Sequence, residues 1–203
     1  MREKPILFSG PMVLAILEGR KTMTRRVREL SIPLKYEVGD LLWVRESIGR
    51  RPASFLGIEA TNGAEEAFYV ADGDPVLEQR GFNCCPWWSG KGGLTSIHMP
   101  RWASRITLRV TGVKVERLQD ISEADAIAEG VPNSPQSAID FSTGKFCPGF
   151  RYQDGSFSNL PGAYRRAWME LWNSINGPGA WEKNPWVAAY TFEIVSVSGR
   201  DGQ

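Results

Sequence analysis

The run from 104 to 118 constrains the fold of this chain more than any other stretch. Ile106, Leu108, Val110, Val113 and Val115 alternate there with Arg105, Thr107, Arg109 and Lys114. A period of two over such a length is the pattern of a strand with one apolar face. The phase of the apolar residues slips near Gly112, which predicts a bulge or bend in a long barrel-type strand. A second run, 186–197, alternates Val187, Ala189, Thr191 and Glu193 with Trp186, Ala188, Tyr190, Phe192 and Ile194, and predicts a long final strand.

Shorter elements are expected around these two. Residues 5–8 read as a first strand, and Ser9-Gly10-Pro11 offers a cap and a first-turn proline for a helix over 12–18 that Gly19 stops. After the turn signal of 36–40, residues 41–46 predict a strand that ends in Arg45 and Glu46 at a rim. Residues 49–62 read as loop, 67–71 as a strand closed by a turn at 72–75, and 76–100 as irregular. Ser122 and Asp125 have capping-box-like spacing at the head of a short helix that runs through Glu129 and stops at Gly130. A second irregular stretch, 131–162, precedes an amphipathic helix over 163–174 with Tyr164, Trp168, Leu171, Trp172 and Ile175 on one broad apolar stripe. With no internal repeat and no linker, one domain over 1–203 with insertions at about 49–100 and 131–162 is expected.

The net charge of +1 excludes a strongly basic or acidic chain, although the N-terminal quarter carries a local excess of Lys and Arg. Cys84, Cys85 and Cys147 form an odd set without disulfide-scaffold spacing, and no leader-like segment opens the chain. No apolar run is long enough for a bilayer, so a cytoplasmic protein without a membrane partner is expected. Adjacent cysteines and the lone His98 do not supply a zinc geometry, so neither metal nor other cofactor is expected. The eight tryptophans exceed what a core of this size normally holds, and some rings are expected near the surface, where they can stack on bases.

The chemistry concentrates in 19–26, Gly-Arg-Lys-Thr-Met-Thr-Arg-Arg, read as a cationic turn directly after the first helix. A solvated basic turn is its plain interpretation. The alternative is a reactive site: Thr24 needs a base to become a nucleophile, and Lys21 serves only as a neutral amine. Arg20, Arg25 and Arg26 disfavour a further positive charge on Lys21, partial burial acts in the same sense, and Arg26 can stabilise an oxyanion. In a regular strand Lys21 points away from Thr24 and Arg26, so convergence requires a turn around Thr22.

The spacing Gly19-x-Lys21-x-x-Thr24-x-Arg26 resembles the G-x-K-x-x-T-x-R signature of ASCH domains, PUA-like β-barrels associated with RNA. The Val38-Gly39-Asp40 turn before a strand, the helix over 121–130 and the aromatic last strand follow the order of that family, and 43–46 and 96–101 resemble its longer phage- and prophage-associated members. The resemblance implies an α+β fold, a mixed PUA-like β-barrel with peripheral helices and long loop insertions. It also implies RNA or a modified nucleoside as partner. One branch hydrolyses 4-acetylcytidine, and by that resemblance Lys21 is the base, Thr24 the nucleophile and Glu129 the acid that handles the leaving proton. Arg20, Arg25, Arg26, Arg45 and Glu46 are the expected substrate-binding residues. Other members bind or cleave RNA, so a non-catalytic RNA-binding module and a single-strand ribonuclease stand beside the amidohydrolase. Glu46 also has a plainer reading as the ion-pair partner of a nearby arginine, and His98 as a structural residue.

Overall fold

In the computed structural model the long alternating run is one continuous strand. The structure describes residues 3–52, 65–76, 86–89, 92–131 and 163–198. Cys84, Cys85, Cys147 and most of the stretch 131–162 lie outside them. In chain order the described elements are β1 (Glu3–Leu7), α1 (Gly10–Leu17), β2 (Met23–Val27), β3 (Leu41–Arg45), β4 (Ile48–Pro52), β5 (Glu65–Tyr69), β6 (Ile106–Arg117), α2 (Glu123–Ala128), α3 (Ala163–Asn176) and β7 (Trp186–Val197). This is a mixed α+β architecture. The chain divides into two compact units: Met1–Leu14 with Asp40–Arg109 and Ile194–Gln203, and Ala15–Gly39 with Val110–Glu193.

In the first unit β1 lies parallel to β3, with Ile6 opposite Val44, and β3 is antiparallel to β6, with Leu42 opposite Leu108. Strands β4 and β5 form a separate antiparallel pair with Ile48 opposite Tyr69. That pair corrects the expectation of loop from residue 49. The glycine there does not break a strand; it admits a ring, because a Cβ on Gly49 would lie 2.4 Å from the Phe68 side chain. Ile48, Ala67, Tyr69, Val76, Met99 and Ala103 pack into one cluster, and the Tyr69 hydroxyl donates to the Ala103 carbonyl at 2.8 Å.

In the second unit β2 runs antiparallel to β7, with Thr24 opposite Tyr190. Residues 23–26 are thus strand, where the sequence suggests turn. Ser122 caps α2 by accepting from the Asp125 amide at 3.1 Å. The carboxylate of Glu123 accepts from the amides of Tyr164 and Arg165, both at 3.1 Å, so α2 supplies the acceptors for the first turn of α3. Trp168, Leu171 and Trp172 are buried on the inner stripe of α3.

The expected phase slip in β6 does not occur. Ile106, Leu108 and Val110 are buried, and so is Glu116 an even number of residues further on, although Lys114 between them is exposed. Val113 and Val115, apolar but out of phase, are not buried, and Val115 is 38% exposed. The inward position at the end of the strand is taken by a carboxylate.

Candidate active site

The backbone of 19–22 is fixed on three sides within the second unit. The amides of Arg20 and Lys21 both donate to the Ala15 carbonyl at 2.9 Å, which satisfies an orphan acceptor at the end of α1. The Thr22 amide donates to Ala128 at 2.8 Å, and the Thr22 carbonyl accepts from Phe192 at 2.9 Å. Lys21 and Glu129 form an isolated antiparallel bridge, so the end of α2 pairs with the entrance to β2. Gly130 closes this corner with φ of +85°; a Cβ there would lie 2.9 Å from Lys21 Cβ and 3.0 Å from Ala15 Cβ.

The side chain of Lys21 is buried completely. Its Nζ lies 2.8 Å from each of three acceptors: the Met23 carbonyl, the Glu129 carbonyl and Glu129 Oε2. An ammonium has three hydrogens, so this geometry uses all of them and leaves no lone pair free. Burial pushes Lys21 below the ordinary lysine range; Glu129 opposes that shift, and Arg26 and Arg25 add to it. The two side chains thus form an ion pair, 2.8 Å between Nζ and Oε2, that is buried against a strong desolvation cost.

Arg25 points into the same region. Its Nη1 donates to Glu129 Oε1 at 3.2 Å, its Nε and Nη2 to Glu116 Oε1 at 3.1 and 2.7 Å, and Nη2 also to Asp125 Oδ2 at 2.7 Å. The Arg25 side chain has no exposed surface, and its polar contacts are all within the chain: the three carboxylates and the Met23 sulfur, which Nη1 meets at 3.2 Å. Glu116 also pairs with Lys114 Nζ at 2.5 Å. Neither Glu116 nor the site role of Asp125 is evident from the motif. The signal for Glu116 is an acid in phase with the buried Ile106, Leu108 and Val110 of the same strand.

Thr24 is buried next to this cluster, one residue beyond the carbonyl that Lys21 holds. Burial lowers the proton affinity of Arg26, and the Glu129 carboxylate opposes that shift. The rings of Tyr36 and Tyr190 meet edge to face at 5.1 Å. Arg20 is half-exposed, donating to Glu18 at 2.6 Å and to the Gly130 carbonyl at 3.0 Å.

Arg45 and Glu46 belong to the first unit. The Arg45 guanidinium lies over the Trp43 ring at 5.3 Å and donates to the Ile97 carbonyl. Glu46 is buried with both oxygens on Arg105 at 2.9 Å, and Arg105 also binds Asp72 at 2.7 Å and Asp74 at 3.2 Å. Burial raises the Glu46 carboxyl above the usual carboxylate range against the pull of Arg105. Its geometry is that of a satisfied ion-pair partner. His98 is exposed in a turn of 3-10 helix over Ser96–His98. Among the described residues no cluster of His, Cys, Asp and Glu could hold a metal ion, and no helix is long and apolar enough to cross a membrane.

No family model matches the chain, and no curated protein matches it. Two of the solved structures similar to it are the following. A protein from Enterococcus faecalis, described by the family model DUF984, shares 10% identity with a TM-score of 0.43, over 100% of this chain and 86% of its own. An ASCH domain from Lactobacillus crispatus shares 13% identity with a TM-score of 0.41, over 96% of this chain and 80% of its own.

Proposed function

We propose that this chain is an ASCH-type, PUA-like protein acting on RNA or a modified nucleoside, and that its second unit hydrolyses the acyl amide of a 4-acetylcytidine-type base. The observation that carries this reading is the buried Lys21–Glu129 pair, 2.8 Å between Nζ and Oε2, whose ammonium also holds the carbonyl of Met23, the residue before buried Thr24. In this reading Lys21, whose proton affinity burial lowers, passes its proton to Glu129 Oε2, 2.8 Å away, which turns an ion pair into a neutral amine and a carboxylic acid. The amine then takes the proton of Thr24 Oγ1 as that oxygen attacks the amide carbon. Arg26 stabilises the oxyanion. As the carbon–nitrogen bond breaks, Glu129 returns its proton to the leaving nitrogen, and the ammonium carboxylate pair is restored. Water then hydrolyses the threonyl ester to acetate. The test is incubation with 4-acetylcytidine: the wild-type protein should release cytidine and acetate, and Thr24→Ala should not. No turnover by the wild type, or full turnover by Thr24→Ala, sinks the assignment.

A non-catalytic RNA-binding module is the second reading, and the first unit supplies its support. Trp87 and Trp102 are each 37% exposed with ring centroids 4.4 Å apart, and Arg45 and Arg101 lie over Trp43. Such rings stack on unpaired bases at about 1–3 kcal/mol each. Affinity for single-stranded RNA that falls steeply with salt and drops in Trp102→Ala supports it; salt-insensitive or absent binding counts against it.

A further inference from the structure

We propose that Arg25 is a positioning residue that orients Glu129 toward Lys21 and does not itself meet the ligand. The proposal rests on the hydrolytic reading of the second unit. The two oxygens of Glu129 are divided between two cations: Oε1 receives Arg25 Nη1 at 3.2 Å and Oε2 receives Lys21 Nζ at 2.8 Å. With Oε1 engaged, the oxygen facing Lys21 is the one placed to take its proton. The guanidinium is held in turn from β6 by Glu116 and from α2 by Asp125, both at 2.7 Å. A planar fork bound on three sides has little freedom to rotate, so Glu129 is oriented by a rigid support. Lysine could supply the charge but not the fork.

Charge adds a second effect. The groups facing Lys21 are Glu129 from the end of α2 and Arg25 and Arg26 from β2; Glu116 with its partner Lys114 and Asp125 reach it through Arg25, and Tyr36 and Tyr190 through Arg26. Arg25 opposes a positive charge on Lys21. Replacing it with a neutral residue removes that opposition and leaves Glu116, Asp125 and Glu129 less neutralised, and both changes hold the Lys21 proton more tightly.

The experiment uses the full chain as wild type, Arg25→Lys and Arg25→Gln, with two readouts. The first is the titration of Lys21 by NMR of protein labelled at lysine Cε, the resonance assigned by its loss in Lys21→Arg. In Arg25→Gln the midpoint should rise by about one pH unit or more. In Arg25→Lys, which keeps the charge, it should stay near the wild-type value. The second is turnover of 4-acetylcytidine: Arg25→Lys should lower kcat at least about tenfold with KM within about twofold, the mark of lost orientation. A raised KM with unchanged kcat would mean that Arg25 contacts the ligand and overturns the proposal. So would an unmoved Lys21 midpoint in folded Arg25→Gln. If Arg25→Gln fails to fold, Arg25→Lys decides through kcat against KM. If the wild type shows no turnover, the hydrolytic reading fails by itself, and the Lys21 midpoint still decides whether Arg25 governs the pair.

Discussion

Lys21 and Glu129 are joined twice, through a backbone bridge and through an ammonium that donates to both the carbonyl and the carboxylate of the same residue. Residues 108 apart in sequence thus meet as one unit. The backbone places the charges, and the charges seal the backbone.

Removing either partner of this pair leaves the other as a buried charge with fewer neighbours. Lys21→Met and Glu129→Gln should each lower stability by about 3–5 kcal/mol in urea unfolding. The double variant should lose clearly less than the sum, because neither charge is then left behind. Additive losses would show that the two side chains do not depend on each other.

Thr24 separates chemistry from folding. Thr24→Ala should cost roughly 1 kcal/mol of stability while abolishing release of cytidine from 4-acetylcytidine, and Thr24→Ser should retain part of the activity. Thermal unfolding alongside the assay distinguishes a lost nucleophile from a lost fold.

The depressed proton affinity of Lys21 has a sign that unfolding can read. Burial makes the folded lysine release its proton below the ordinary lysine range, which the unfolded chain retains. Between those two points the unfolded state binds more protons, so stability should rise with pH there. Below the folded value this contribution is a constant cost. Lys21→Met should lack the rise, and the difference between the two stability–pH curves on the alkaline side isolates it.

Gly130 is required by conformation and by contact. Gly130→Ala forces a left-handed backbone on alanine and sets its Cβ against Lys21 and Ala15, so a loss of about 1–3 kcal/mol is expected. The NMR titration of Lys21 should shift in the same variant, because the methyl presses on the Lys21 side chain.

In the first unit Arg105 plays the part that Arg25 plays in the second. Arg105→Met strips Glu46 of both its hydrogen-bond donors and should cost about 3–5 kcal/mol. Glu46→Gln in that background should recover part of the loss; no recovery would show that the packing of Arg105 on Tyr69, at 3.9 Å, outweighs the charge.

Much of the fold is written in local pattern. The final strand coincides with its alternating run, and α1 and α2 begin and end near their capping residues and glycines. Strand β4 escapes the same reading because its glycine serves a cross-strand contact that a linear pattern does not show. The strand character of 23–26 is hidden by its charges, which a residue-by-residue reading assigns to solvent. Inside the protein those charges neutralise one another across β2, β6 and α2. The same fact explains Glu116, whose burial is legible only once the alternation of β6 is carried past Gly112. The motif singled out Lys21 and Thr24, whereas the burial of Arg25 became intelligible only when its three carboxylates were seen around it.

Helix α2 has six residues, too few to persist alone, and it is fixed at both ends by other parts of the second unit. Glu123 binds the start of α3, and Ala128 and Glu129 bind Thr22 and Lys21. Glu129 is therefore not portable with the motif. An eight-residue graft of 19–26 into another scaffold would carry the cations and the hydroxyl but leave Lys21 exposed and ordinary. Transplanting the chemistry would require β6, α2 and α3 as well, so the smallest transferable piece approaches the whole second unit.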